Sequence, residues 1–379
     1  MSHIALVTTS YPDYVPGAEA AGTFVEDFAL ELASHVRVTV VAPSRDSSVL
    51  RNGSLTVCRF AVPTLPLSLL RPSRPSHWPL IIRTLRAGRR EVESLHQRER
   101  LDHILALWAL PSGWWARGLS GTPYSTWALG SDIWSLGRLP VVRGILRRTI
   151  REASRSYADG LALARDVQSI SGRSCDFLPS SRRLPAVAGE RRATGNGRRL
   201  AFLGRWHVNK GIDLLLQALD QLGDEDWQLI DEVRIYGGGP LESDARKATE
   251  RFSASQRPVV LGGYLDREGA ADLIRWADYL LLPSRIESIP VIFSDAMQLG
   301  TPIVATPVGD LPELQRRYSF GVLAADVSSE AYAAALSKAL RSADNAPAEG
   351  LELARNDFDV ARAVRRFLAD VEISPRDEN

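Results

Sequence analysis

Arg205 and Lys210 stand five positions apart in FLGRWHVNKG, residues 202–211. An apolar run reading as a strand ends at Gly204, and a helical pattern begins near Asn209. Two cations on a short loop at the carboxyl end of a strand, close to free helix N–H groups, suit a diphosphate. The other reading is a pair of solvated surface charges. Lys210 favours the first, because the chain has three lysines in all. A second stretch, LLLPSRIESIPVIFSDAMQLGTPIVAT at 280–306, places Glu287 in a polar loop after a buried strand. The spacing predicts a helix starting near Pro290, a residue favoured in a first helical turn. Its free N–H groups would make an anion site. Asp295 follows Glu287 by eight positions, slightly over two helical turns, which predicts both carboxylates on roughly one face. Carboxylates repel phosphate but accept hydrogen bonds from hydroxyls. The alternative makes Glu287 a charge completing a helix dipole and Asp295 a solvated residue. Two glycine-rich stretches complete the set. In YGGGPLE (236–242) and PGAEAAGTFVEDF (16–28) glycines between a strand and a helix let backbone approach a ligand, or simply form a tight turn.

These residues need strand ends to hold them. In the first half, residues 3–9, 36–42, 55–61, 103–108, 124–128 and 160–164 read as buried strands, with helices near 23–34, 79–97, 138–158 and 165–171. Residues 180–199, rich in Gly, Ser, Pro and Arg, read as a linker. The alternation then restarts, with strands at 199–204, 232–237, 258–261, 278–283, 302–306 and 319–323. Helices are expected near 211–222, 240–252, 266–276, 290–299, 329–341 and 356–371. Alternating strands and helices imply parallel sheets, and 379 residues imply two domains. The fold class expected is α/β, two doubly wound Rossmann-like domains facing across a cleft, with ligands beyond the carboxyl ends of the strands.

Composition narrows the functional classes. No apolar run is long enough to predict a transmembrane helix, and MSHIALVTTSYP reads as a first strand, not a signal peptide. Cys58 and Cys175 make neither a disulfide framework nor a metal cluster, which points to a reducing, cytoplasmic setting. The net charge of +1 conceals an asymmetry: residues 1–199 hold 27 Arg against 16 Asp and Glu, and residues 200–379 hold 19 Arg and Lys against 29. The basic half is expected to meet something anionic.

The segment 202–219, the glycine turn and PSRIESIPVIFSDAMQLGTPIVATPVGDLPEL closely resemble the donor-binding domain of retaining glycosyltransferases of family 4. The resemblance implies the GT-B fold. It divides the chain into an acceptor-side domain, 1–185 joined by the terminal helix 357–379, and a donor-binding domain, 196–356. It implies that Arg205 and Lys210 bind the donor diphosphate and stabilise the leaving nucleotide, with Glu287 near the transferred sugar. Backbone N–H groups of Ile289, Val291 and Ile292 would lie near the diphosphate and sugar. Asp295 stands where the family usually has a glutamate for the ribose hydroxyls. Gly22 matches a glycine facing the phosphates, Gly238 lies in the glycine turn, and Tyr264 and Leu265 match the loop by the nucleobase. Where the family often carries histidines in its first domain, this chain has Leu105, Leu107 and Leu129, so no histidine is carried over. His103 reads as a strand residue. Asp132 stays in place and, with Trp108, is an acceptor-side candidate.

The resemblance thus implies a hexosyltransferase using a nucleoside-diphosphate sugar and a hydroxyl acceptor. Rival readings are a non-catalytic nucleotide-sugar-binding subunit and a GT-B-fold nucleotide-sugar epimerase. No DxD or ligand cluster appears, so neither a metal nor a cofactor is expected. Arginines interleaved with apolar residues at 64–100 and 138–155 read either as solvated helices or as a surface for an anionic membrane, which would place the protein on the inner face of the membrane. Nucleic acid is not an expected partner, since no recognised motif accompanies the charge. Trp114 and Trp115 with Trp108, and Trp127 and Trp134 around Asp132, read either as core or as stacking platforms for sugar.

Overall fold

The computed structural model describes residues 2–12, 22–185, 197–342 and 347–374. Contacts divide the chain into two units, Met1–Arg183 with Val360–Asn379, and Leu184–Asp359. Residues 186–196 of the expected linker, and Gly17 in the first glycine-rich stretch, lie outside the described residues.

The first unit holds eight strands: β1 (His3–Val7), β2 (Arg37–Ser44), β3 (Ser48–Asn52), β4 (Leu55–Ala61), β5 (His103–Leu107), β6 (Tyr124–Ala128), β7 (Arg155–Ala158) and β8 (Asp176–Phe177). Their order is β3-β4-β2-β1-β5-β6-β7-β8. Every ladder is parallel except the β3–β4 hairpin. Side chains alternate across the sheet as the pleat requires. Ile4, Leu6, Leu105 and Leu107 fill one core, beneath the helices Thr23–His35 and Val360–Asp370. Ala5, Val7, Ile104 and Ala106 fill the opposite one with Val92 and Trp115. The helix Val360–Asp370 closes the first core by setting Phe367 edge-on against Phe28 and Tyr157.

Residues 160–164 are not a strand. Leu161–Ser171 is one helix, and the strand is Arg155–Ala158. The run GLALA is apolar because it opens a helix buried at Leu163, Ala164 and Val167; short apolar runs do not separate strand from buried helix.

The second unit has six parallel strands: β9 (Arg198–Arg205), β10 (Ile230–Gly238), β11 (Val259–Gly262), β12 (Tyr279–Leu282), β13 (Ile303–Ala305) and β14 (Gly321–Leu323), ordered β11-β10-β9-β12-β13-β14. This is the dinucleotide-fold order. The direction of winding reverses between β9 and β12, so the loops leaving those strands part to opposite faces and open a crevice. The first unit reverses in the same way between β1 and β5.

Candidate functional site

The loops at the β9/β12 reversal are the two that carry the charged motifs. β9 ends at Arg205, which is exposed and forms no ion pair among the described residues. Trp206 turns inward, and its N–H donates to Gly238 O at 2.8 Å. A single 3-10 turn, Val208–Lys210, follows; the helix begins only at Ile212, later than the expected Asn209. His207 caps the turn, its Nδ1 accepting from the Asn209 N–H at 3.1 Å. Gly211 then takes φ +69, where a Cβ would sit 1.8 Å from Pro283 O. Only glycine lets the loop after β9 press this closely on the exit of β12. Gly211→Ala is expected to destabilise the protein by about 2–4 kcal/mol, from the left-handed backbone and the forced separation together. Chemical denaturation checks this, and a change below about 0.5 kcal/mol would refute the close packing.

The loop after β12 is tied to the same place. Arg285 donates to both carboxylate oxygens of Asp213, at 2.7 and 2.8 Å, and to Val208 O at 2.7 Å, and its backbone N–H donates to Asn209 O at 2.8 Å. A bidentate fork fixes orientation as well as distance. Glu287 accordingly reaches Lys210, and Oε1 and Nζ form an ion pair across 77 residues of sequence. Gly309, beyond β13, packs against the backbone of the Glu287 loop: at φ +55 its Cβ would lie 2.2 Å from the Glu287 carbonyl oxygen. The loops after β9, β12 and β13 therefore form one rim.

The helix Val291–Gln298 points its amino end at this rim, and no side chain caps it. Its first N–H groups, those of Val291 and Ile292 among them, lack carbonyl partners within the helix. Ile289 lies in the loop just before it. Glu287 lies four residues outside the helix, so it does not share a helical face with Asp295. Asp295 is 0 % exposed, which overturns the solvated reading.

The glycine turn after β10 forms a second floor. Gly237 and Gly239 have φ of +142 and +151, and a Cβ on Gly237 would be 2.0 Å from Gly204 O. A Cβ on Gly238 would strike the Tyr264 ring at 2.7 Å. Together with Trp206, Glu242, Arg246 and residues 261–264, these glycines line a cavity of about 440 Å³. Leu265, half-buried, follows Tyr264 and packs toward Gly269.

In the first unit, Gly22 caps the helix Thr23–His35 at φ +81, with Ser10 O 2.8 Å from where a Cβ would stand. Trp108, directly after β5 at the reversal, has φ +64. A bulky residue held there is strained by about 1–3 kcal/mol, and such strain persists only where surroundings impose it. Its N–H donates to Trp127 O at 2.9 Å, and its ring lies 6.2 Å from Phe24. Asp132 imposes much of this. Buried, it accepts from Ala109 N–H at 2.6 Å and Leu129 N–H at 3.2 Å. Burial pushes its carboxyl up to about 6. Its oxygens accept from backbone, so it positions the Trp108 loop. His103 is a core residue, bonded to Ser125 Oγ at 2.9 Å and lowered to about 4 by burial. Leu105 and Leu107 are core as well; Leu129 is half-buried against that core. Trp115 and Trp127 are fully buried, while Trp134 is partly exposed.

Sequence reasoning missed three supports: the Arg285–Asp213 fork, the His207 cap and the close approach of Gly309. The only trace was glycine placed immediately after apolar runs.

The family model described as Glycosyl transferases group 1 matches residues 197–342. The matched segment carries β9 to β14 and every charged residue of the rim. A D-inositol 3-phosphate glycosyltransferase of Jonesia denitrificans is 32% identical over 145 residues, 37% of this chain and 34% of that protein. The putative teichuronic acid biosynthesis glycosyltransferase TuaC of Bacillus subtilis is 25% identical over 266 residues, 65% of this chain and 64% of that protein. The chain thus spans between one third and two thirds of the length of these relatives. Among solved structures, the lipopolysaccharide outer core galactosyltransferase WaaB superposes with TM-score 0.70 at 13% identity, covering 98% of this chain and 99% of that one. Anabaena HepE in complex with UDP gives TM-score 0.65 at 17% identity, over 98% and 100%. Over its whole length the chain shares the GT-B fold of these structures, two Rossmann-like domains.

Proposed function

We propose that this chain is a retaining glycosyltransferase of family 4 that moves a hexose from a nucleoside diphosphate to a hydroxyl acceptor on a glycan, a lipid-linked carrier or a small molecule. The observation that carries the reading is the Lys210–Glu287 pair at the β9/β12 reversal, with the ion-pair-free Arg205 on the same loop.

The pair suits an exchange of partners. A diphosphate entering the rim offers Lys210 a more highly charged partner than Glu287, and Glu287 is released to accept hydrogen bonds from sugar hydroxyls. The N–H groups of Ile289, Val291 and Ile292 face the same ligand; Gly238 and Leu265 belong to its nucleoside end. In transfer with retention, the bond from the anomeric carbon to the phosphate oxygen breaks. The acceptor oxygen bonds to that carbon on the same face, and the acceptor proton passes to the departing phosphate oxygen. The charge that grows is on the diphosphate, so the catalytic demand falls on Arg205 and Lys210 and not on a protein base. A first unit whose strand ends carry leucine where a histidine would stand is compatible with that demand. Trp108 is the residue of that unit assigned to the acceptor, held in place by Asp132.

Since two cations meet the diphosphate charge, transfer is expected to be unchanged by excess EDTA. A rate restored only by Mg²⁺ or Mn²⁺ would refute this. Thermal shift against UDP-, GDP-, ADP- and dTDP-sugars identifies the donor, and no shift with any of them would overturn the donor site. The leucines also support a second reading, a donor-binding subunit without turnover. Donor hydrolysis or transfer by the purified chain alone would exclude it.

A further inference from the structure

The first unit carries a charged and apolar surface that donor chemistry leaves unused. The helices Trp78–Arg98 and Pro140–Glu152 flank the short helix Ser112–Ala116 on one face of the first sheet. Trp115 Nε1 donates to Leu85 O at 3.0 Å, and a Cβ on Gly113 would lie 2.7 Å from Thr149 Cγ2. Both long helices run from the carboxyl end of one parallel strand back to the start of the next, so both amino-terminal halves lie at the carboxyl rim of the sheet.

Those halves are unlike the rest of the chain. Residues 78–90 contain four arginines and residues 140–151 four, and neither stretch contains an aspartate or glutamate. In the first helix Thr84, Gly88, Val92 and Leu95 are buried, which turns Pro79, Ile82, Arg86 and Arg90 outward on one helical face. In the second, Leu146, Thr149 and Ile150 are buried, which turns Val141, Ile145 and Arg148 outward. Large apolar side chains stand in water at this rim: Val141 is 79% exposed, Leu69 and Trp78 55%, Ile82 44% and Ile145 40%. Among the described residues Arg83, Arg86, Arg90, Arg143 and Arg147 form no ion pair.

We propose that this rim is a docking surface for an anionic lipid bilayer. Arginines without acidic neighbours are drawn to a negatively charged surface, and exposed Trp, Ile and Val enter the boundary between headgroups and acyl chains. Nucleic acid would use the arginines but offers nothing comparable to Val141 and Ile145. A bilayer uses both. Since the rim lies at the carboxyl ends of the strands, where open α/β sheets bind ligands, docking would bring a membrane-borne hydroxyl acceptor to the edge where Trp108 stands.

Flotation of the full chain with phosphatidylcholine vesicles, with and without phosphatidylglycerol, tests this. It needs no turnover, so its outcome is separate from that of the donor reading. Binding is expected only with phosphatidylglycerol, and loss of binding in high salt. The double substitution Arg86→Gln with Arg90→Gln is expected to weaken partitioning about thirtyfold, taking about 1 kcal/mol per basic residue. Ile82→Ser with Val141→Ser is expected to weaken it independently, with thermal unfolding unchanged for both variants because all four side chains are exposed. Equal binding to neutral vesicles, no binding to either, insensitivity to both variants, or tighter binding to duplex RNA or DNA than to anionic vesicles would each overturn the proposal.

Discussion

Lys210→Ala is expected to slow sugar transfer by about 10²–10³ while donor affinity changes far less. The structure supplies the reason for that split. In the resting site Lys210 is neutralised by Glu287, so donor binding exchanges one anionic partner for another and gains little from the lysine. As the bond to the anomeric carbon breaks, the diphosphate gains charge that Glu287 never carried, and only then does Lys210 contribute fully. The alanine variant also leaves Glu287 facing the diphosphate without a counter-ion, which weakens binding by like-charge repulsion. Adding Glu287→Gln to Lys210→Ala is therefore expected to recover donor affinity without recovering the rate. Isothermal titration with the nucleotide and single-turnover kinetics separate the two quantities. A variant that transferred at the parent rate, or that lost only affinity, would remove Lys210 from the chemistry.

The first unit is expected to lose about 3 kcal/mol of stability between pH 7 and pH 4.5. Burial lowers His103 to about 4 from an ordinary value of 6.5. The unfolded chain then binds more protons than the folded one between those values, so stability is present above the ordinary pKa and falls as pH drops toward 4. At 1.36 kcal/mol per unit, His103 accounts for about 2–3 kcal/mol at pH 4.5. His3 shifts the same way, to about 4, through burial first and Arg37 second. Asp132 opposes both. Its carboxyl is raised to about 6, so the folded state binds the extra proton, and its share of stability grows as pH falls through 6 toward 4. Denaturant titrations at the two pH values check the sum. His103→Gln should flatten the dependence, and Asp132→Asn should steepen it, since it deletes the opposing titration. A flat profile for the parent, or an unaltered slope in both variants, contradicts the burial of these groups.

The sequence by itself was enough to reveal alternating strands and helices, the ends of most strands, and the placing of Arg205, Lys210 and Glu287 at such ends. Those properties are local. Apolar period, glycine and proline punctuation and backbone sterics act over a few residues, and six of the six strands in the second unit fall where the runs predict. Three helices there, Asp224–Trp227, Leu311–Tyr318 and Ala348–Asp357, went unread; two are short, and all carry many charges. The tertiary structure alone decided which loops meet. That β9 lies beside β12 is a matter of winding, and it sets Glu287 on Lys210 and Arg285 on Asp213 across more than 70 residues. It also decided what covers each charge. Spacing places a side chain on a face but does not say what packs against it, so Asp132 and Asp295 read as ligand contacts and stand buried, while the ion pair at the site lies between two residues that no helical or strand period connects.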